Sequence, residues 1–287
     1  KHWIEDIPGI IISSENSASY VRRAYEMGAS DYISRPFDVQ VVHQRVSNTI
    51  KLYAKQRRLI SLVTDQIREK EKNNQMMISI LSQIVEFRNS ESGSHVLHIN
   101  IITGMLLERL MQKTDQYHLQ WSDQFLITTA SALHDIGKIG IDEKILNKPG
   151  KLTKEEFEIM KTHTTQGAEL LERIPQLRCH ESYQYACDIA RHHHERWDGR
   201  GYPDGLKGDE ISLGAQIVSL ADVYDALVSR RCYKAAFSRA DALQMICRGE
   251  CGVFNPFLLN RFLAVEEEVA SLYVRNSEEG RSYGCSH

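Results

Sequence analysis

Two short segments concentrate side chains that bind metal ions: Ser131-Ala-Leu-His-Asp-Ile-Gly-Lys138 and Arg191-His-His-His-Glu-Arg-Trp-Asp-Gly-Arg-Gly-Tyr-Pro203. The first sets an imidazole beside a carboxylate at the end of an apolar helical stretch, and the second adds up to three imidazoles in a row. Glu91, His95, His163 and Asp222 are further candidate ligands on separate expected helices, so only folding can bring them together. Nitrogen and oxygen donors without thiolate suit iron, manganese or zinc rather than a structural zinc knot. More ligands than one ion needs points to two ions sharing a bridging carboxylate. Ions about 3.5–4 Å apart suit the hydrolysis of a phosphate ester.

The elements that must position these residues read as helices. From Ser90 onward, helical stretches are expected at 92–113, 122–138, 153–173, 180–196, 212–229, 238–249 and 256–274, with Gly/Pro-rich loops at Asn147 to Gly150 and Asp198 to Gly208. Thr153 followed by Glu156 makes a capping box that fixes one helix start. Upstream, residues 7–13 read as a short buried strand, Tyr20 to Met27 as a helix stopped by Gly28, and Asp31 to Phe37 as a strand ended by Pro36. Between Asp38 and Asn89 there is neither Pro nor Gly. Apolar residues recur there at Leu52, Leu59, Val63 and Ile67, then at Met77, Ile80, Leu81, Ile84 and Val85, on either side of a polar stretch from Arg68 to Gln75. This is one long helix or two joined ones, read as a dimerising signalling helix, with a solvated connector as the alternative.

The chain has 287 residues, 42% of them hydrophobic, enough for a full domain and a smaller piece. A net charge of -3 and a pI near 6.5 give no bulk electrostatic reason to expect DNA or acidic membranes as partners. No apolar run approaches the length of a membrane span, and the first residues do not look like a secretory signal, which makes the cytoplasm the expected location. The six cysteines show no CxxC pair and read as ordinary buried or half-buried thiols. His43, His118 and His180 have no partners at ligand spacing and read as surface or satisfied histidines.

Residues 88 to about 265 resemble an HD-GYP domain, a branch of the HD phosphohydrolase superfamily, on the His134-Asp135 pair, the Gly201-Tyr202-Pro203 loop, and the order of the segments around His163, Asp222 and Arg231. The resemblance implies an all-helical metal-dependent phosphohydrolase acting on a cyclic dinucleotide. Its metal ligands would be His95, His134, Asp135, His163, His193, His194 and Asp222, with Asp135 bridging two ions and Glu91 the extra carboxylate of a third. Iron is the first expectation and manganese the alternative. His192 is left as a supporting or packing residue. Lys138 resembles a phosphate-facing lysine, and Arg231 and Lys234 the basic pair that grips substrate phosphates. Tyr202 either stacks on a guanine or shapes its loop.

The N-terminal strand-helix-strand-helix order resembles the second half of a response-regulator receiver domain, with Ser13 at the switch hydroxyl, Tyr32 at the switch aromatic and Arg35-Pro36 at the usual Lys-Pro. The acidic pair and phosphoacceptor of such domains lie upstream of this half, so the chain reads as a fragment of a longer regulator, with a sensor kinase as partner only if the full receiver is present. The expected fold is mainly α with a small N-terminal α/β piece: a partial receiver over 1–49, a linker helix over 50–89 that joins a homodimer, and the catalytic domain over 90–287. The expected reaction is hydrolysis of cyclic di-GMP to linear pGpG and, after a second cleavage, GMP. Cyclic GMP-AMP or another nucleotide as substrate, or a non-catalytic cyclic dinucleotide-binding regulator, are the other readings.

Overall fold

The computed structural model describes residues 7–88, 94–113, 116–175, 178, 182–229 and 236–271. The chain forms two compact units, Lys1–Asn74 and Gln75–His287.

In the first unit, β1 (Ile10–Ser13) pairs in parallel with β2 (Asp31–Ser34), Ile10 opposite Asp31, and α1 (Ala18–Glu26) connects them. A parallel pair needs such a crossover. The apolar run of β1 reads as buried, yet Ile11 and Ile12 are 36% and 43% exposed. Adjacent strand residues point to opposite faces, so in this two-stranded sheet, with α1 packed on β2, both faces of β1 stay partly open. Ala24, Tyr32 and Ile33 form the small buried centre. The Tyr32 hydroxyl donates to the Glu15 carbonyl, and the Arg45 guanidinium pairs with Asp31, Nε to Oδ2 at 2.7 Å. From Val39 to Arg88 the chain is one uninterrupted helix, α2. Leu52, Leu59, Val63 and Ile67 are all exposed along it.

The second unit holds the end of α2 and then α3 (His95–Lys113), α4 (Trp121–Ser131), α5 (Glu143–Leu146), α6 (Lys154–Lys161), α7 (His163–Glu172), α8 (Tyr183–His192), α9 (Leu213–Val228), α10 (Arg239–Cys247) and α11 (Pro256–Leu263). α9 is the central helix. It packs on α3, α8 and α10, and every residue from Gly214 to Ala221 is buried, Gln216 and Ser219 among them. Ile99, Leu106, Ile127, Ile189 and Phe262 close the core around it.

Three expected helices end early, each where the site needs them to. The stretch expected over 122–138 stops at Ser131, and His134-Asp135 lie in a turn that leads into a short 3-10 segment, Ile136–Gly140. The chain there runs flush against α7: a Cβ on Gly137 would sit 1.9 Å from the His163 carbonyl oxygen and 2.5 Å from Gly167 N. The stretch expected over 153–173 divides at Thr162, so that His163 opens a new helix; the Thr153/Glu156 capping box is formed, with Thr153 N donating to Glu156 Oε2 at 2.7 Å. The stretch expected over 180–196 ends at His192. At the C-terminal side, α11 stops at Leu263 and a further turn of helix covers 266–271. Cys247 is exposed rather than buried, Cys187 and Cys251 are half-buried, and Cys179, Cys232 and Cys285 lie outside the described residues. Among the described residues no helix is long and apolar enough to cross a membrane.

Candidate metal centre

The helix ends converge. His95 opens α3, His134 and Asp135 follow α4, His163 opens α7, His193 and His194 follow α8, and Asp222 projects from α9. They gather into two groups, His95-His134-Asp135 and His163-His193-His194, in each of which one donor atom per residue lies within 4.8 Å of the others. Asp135 stands between the groups. Its Oδ2 is 3.3 Å from His134 Nε2, and its Oδ1 is 3.4 Å from His163 Nε2 and 3.8 Å from His193 Nε2. Asp222 Oδ1 lies 3.6 Å from His95 Nε2.

The rings are aimed by their other nitrogens. Nδ1 of His134 donates to the Ser131 carbonyl (2.9 Å), that of His163 to Met160 (2.7 Å), and that of His193 to Ile189 (3.0 Å). A ring that donates from Nδ1 presents a lone pair at Nε2. His134 Nε2 is fully buried and has no hydrogen-bond partner among the described residues. Such an atom, aimed at a carboxylate and further imidazoles, is what a cation would satisfy. Burial drives the His163 imidazole towards its neutral form and holds His193 and His194 well below the usual histidine range. Neutral imidazole is the ligating form. Burial also opposes the charge on His134, but the carboxylates of Asp135 and Asp222 outweigh it and raise that ring overall. For Asp135, burial is overcome by Lys138 and His134, which keep the carboxyl well below the usual range. Donor types, orientation and charge therefore fit two metal ions.

The floor of the centre is closed and one side is open. The side chains of His134 and His193 are 0% exposed and that of His163 is 2%, whereas Asp135, Lys138 and Asp222 are 13%, 15% and 16% exposed. Lys138, in the 3-10 segment, places Nζ 2.6 Å from Asp135 Oδ2. Tyr202 lies against His194, ring centroids 4.8 Å apart and tilted by 30°, and edge-on to Phe157; burial raises its phenol. His192 turns to Asp188 (2.8 Å) and Asp204 (3.0 Å) instead of joining either group. Glu91, Arg231, Lys234 and His180 lie outside the described residues, and His43 and His118 are exposed.

Sequence reasoning missed Asp225 and His98. Asp225 is 1% exposed and accepts from His95 Nδ1 at 2.6 Å and from His98 Nδ1 at 2.8 Å. The signal was there in the spacing: His98 and Asp225 each follow a candidate ligand by one helical turn, and so face the same way. The end of α2 also reaches this region. Glu86 Oε1 accepts from Val96 N at 2.7 Å, beside His95, and Arg88 Nη1 donates to the Ile139 carbonyl at 2.6 Å, beside Lys138.

Residues 75–251 match the HD domain family. The chain is 35% identical over 286 residues to the "Probable cyclic di-GMP phosphodiesterase" of Vibrio cholerae serotype O1, a match that covers 96% of this chain and 65% of that protein. It is 33% identical over 294 residues to a cyclic di-GMP phosphodiesterase of Thermotoga maritima, covering 96% of this chain and 77% of the relative. A third relative, the 3'3'-cGAMP-specific phosphodiesterase 2 of Vibrio cholerae, is 36% identical over 213 residues, 74% of this chain and 38% of that protein. The chain thus spans only part of each relative's length. With Asp135 of the His134-Asp135 pair facing both imidazole groups and Tyr202 of the Gly201-Tyr202-Pro203 loop against His194, this chain belongs to the HD-domain family, in its HD-GYP branch.

Proposed function

We propose that the second unit is a metal-dependent phosphodiesterase that opens a cyclic dinucleotide, with cyclic di-GMP as substrate, linear pGpG as product and GMP after a second cleavage. The observation that carries the reading is Asp135, whose two oxygens face the two imidazole groups separately. In this reading His95, His134, Asp135 and Asp222 hold one ion, and Asp135, His163, His193 and His194 the other, with Glu91 available to a third. The donor set suits iron, with manganese as the alternative. Bound there, the ions supply Lewis acidity at a phosphoryl oxygen and lower the pKa of water enough to make a nucleophile near neutral pH.

The chain's own residues do the rest. The buried imidazoles of His134, His163 and His193 form a closed floor, so the phosphate approaches from the side where Asp135, Lys138 and Asp222 reach solvent. Lys138 Nζ then offers a point charge to the phosphoryl oxygens as negative charge builds on them. Arg231 and Lys234 hold the substrate's phosphates, and Tyr202 forms a wall for a base. The names of two relatives support cyclic di-GMP, and the third favours cyclic GMP-AMP as a second reading of the same site.

Around this catalytic domain, taken as 90–287, we place a receiver-like piece at 1–49 and a dimerising linker at 50–89, acting in the cytoplasm. A sensor kinase enters only through a complete receiver. The exposed apolar stripe of α2 supports the dimer. Metal analysis tests the centre: anaerobically purified protein should carry at least two ions per chain, and Asp135→Ala should remove most of them, since one carboxylate serves both groups. A single bound ion indifferent to that substitution would refute the binuclear reading.

A further inference from the structure

Glu195 follows directly on His193 and His194 but belongs to neither imidazole group. It is 2% exposed, and a carboxylate so deeply buried is costly unless its oxygens are hydrogen-bonded. Three successive backbone amides of the following loop supply those bonds: Asp204 N at 2.7 Å and Gly205 N at 3.0 Å donate to Oε1, and Leu206 N at 3.0 Å donates to Oε2. Consecutive N–H groups converging on one anion make a strong anchor. The loop also closes onto the same segment elsewhere. Tyr202 N donates to the His194 carbonyl at 3.3 Å, and a Cβ on Gly201 would sit 2.4 Å from both Arg196 N and Glu195 Cα. On the outer side, Asp204 accepts from Arg191 at 2.7 and 2.8 Å and meets His192 at 3.0 Å, but these side chains are partly exposed.

We propose that Glu195 is a positioning residue, whose carboxylate fastens the Gly201–Leu206 loop to the His193-His194 segment and so fixes Tyr202 beside His194. The order of the loop, and with it the place of Tyr202, then depends on Glu195. This deepens the phosphodiesterase reading and rests on it only where substrate affinity is concerned.

The test combines amide exchange, proteolysis and kinetics on the whole metallated chain. In the unsubstituted protein the amides of Asp204, Gly205 and Leu206 should be protected about 10²-fold or more. Glu195→Gln keeps the size and one acceptor oxygen, but it removes the negative charge and sets an amide donor against Leu206 N. It should lower the protection, most at Leu206, and speed tryptic cleavage after Arg200, which is 88% exposed, and after Lys207 by about tenfold or more. Melting temperature and metal content should stay near those of the parent. KM for cyclic di-GMP should rise about tenfold with kcat within about threefold, a split that general destabilisation does not give. Asp204→Asn weakens the outer ties but keeps the Asp204 amide, so cleavage should remain close to the parent's rate. Parental exchange and proteolysis in Glu195→Gln would overturn the proposal, as would a loop loosened equally by Asp204→Asn. Should Glu195→Gln fail to fold, the parent's exchange decides: unprotected amides at 204–206 overturn it, protected ones uphold it. If the parent cleaves no cyclic dinucleotide, the functional reading fails, while the exchange and proteolysis results still decide the role of Glu195.

Discussion

Lys138 Nζ lies 2.6 Å from Asp135 Oδ2, the carboxylate oxygen that also faces His134 Nε2 at 3.3 Å. The pair sits where Asp135, Lys138 and Asp222 keep 13–16% of their side chains exposed, the side from which a phosphate would arrive in the proposed reading. The lysine charge also helps keep the Asp135 carboxyl ionised. A carboxylate shared between two groups has to remain so.

Lys138→Ala should keep the metal ions and lower turnover by about 10²–10³-fold, the usual effect of removing one charge-stabilising group from a preorganised site. Substrate affinity should fall much less, since the charge that Lys138 complements grows in the transition state. Steady-state kinetics beside metal analysis checks both halves. Undiminished turnover would make Lys138 a bystander and leave the phosphate to Arg231 and Lys234.

Asp225 should matter to the metal without touching it. It holds His95 through Nδ1 at 2.6 Å, and supporting partners of this kind are worth about 10–100-fold in metal affinity. Asp225→Asn should weaken binding by that factor in a competition titration against a chelator, and only for the ion of the His95 group. Equal weakening of both ions would mean that Asp225 supports the fold rather than one ligand.

The local part of the site was legible in the sequence because adjacency is local: His134-Asp135 and His193-His194 announce themselves by residue type. The convergence of His95, His163 and Asp222 was legible only through a family resemblance, since no spacing along the chain encodes it. Helix ends were the weakest reading. The helices break at Ser131 and Thr162 where the backbone at Gly137 runs against His163 and Gly167, a tertiary contact that apolar periodicity does not carry. The run Ile10-Ile11-Ile12 looked buried because it is apolar, but a two-stranded sheet cannot cover it. Glu195 was opaque for another reason: its three donors come from backbone nine to eleven residues further on, and backbone amides leave no mark in a sequence.

If α2 joins two copies, the paired substitutions Leu59→Ser and Val63→Ser should shift the protein to monomer in sedimentation velocity and leave its metal content intact. Both residues are exposed, 63% and 49%, so the changes remove apolar surface without opening a core. An unchanged sedimentation coefficient would make the helix a plain connector.

The most direct test of the central claim is product analysis of cyclic di-GMP incubated with the iron- or manganese-loaded chain, beside the metal-stripped chain and the same sample reloaded. Linear pGpG should form with the loaded protein, be absent after stripping, and return on reloading. Tight binding of cyclic di-GMP by the fully loaded chain, with no cleavage of it or of cyclic GMP-AMP, would contradict the account and make this centre a binding site rather than a catalytic one.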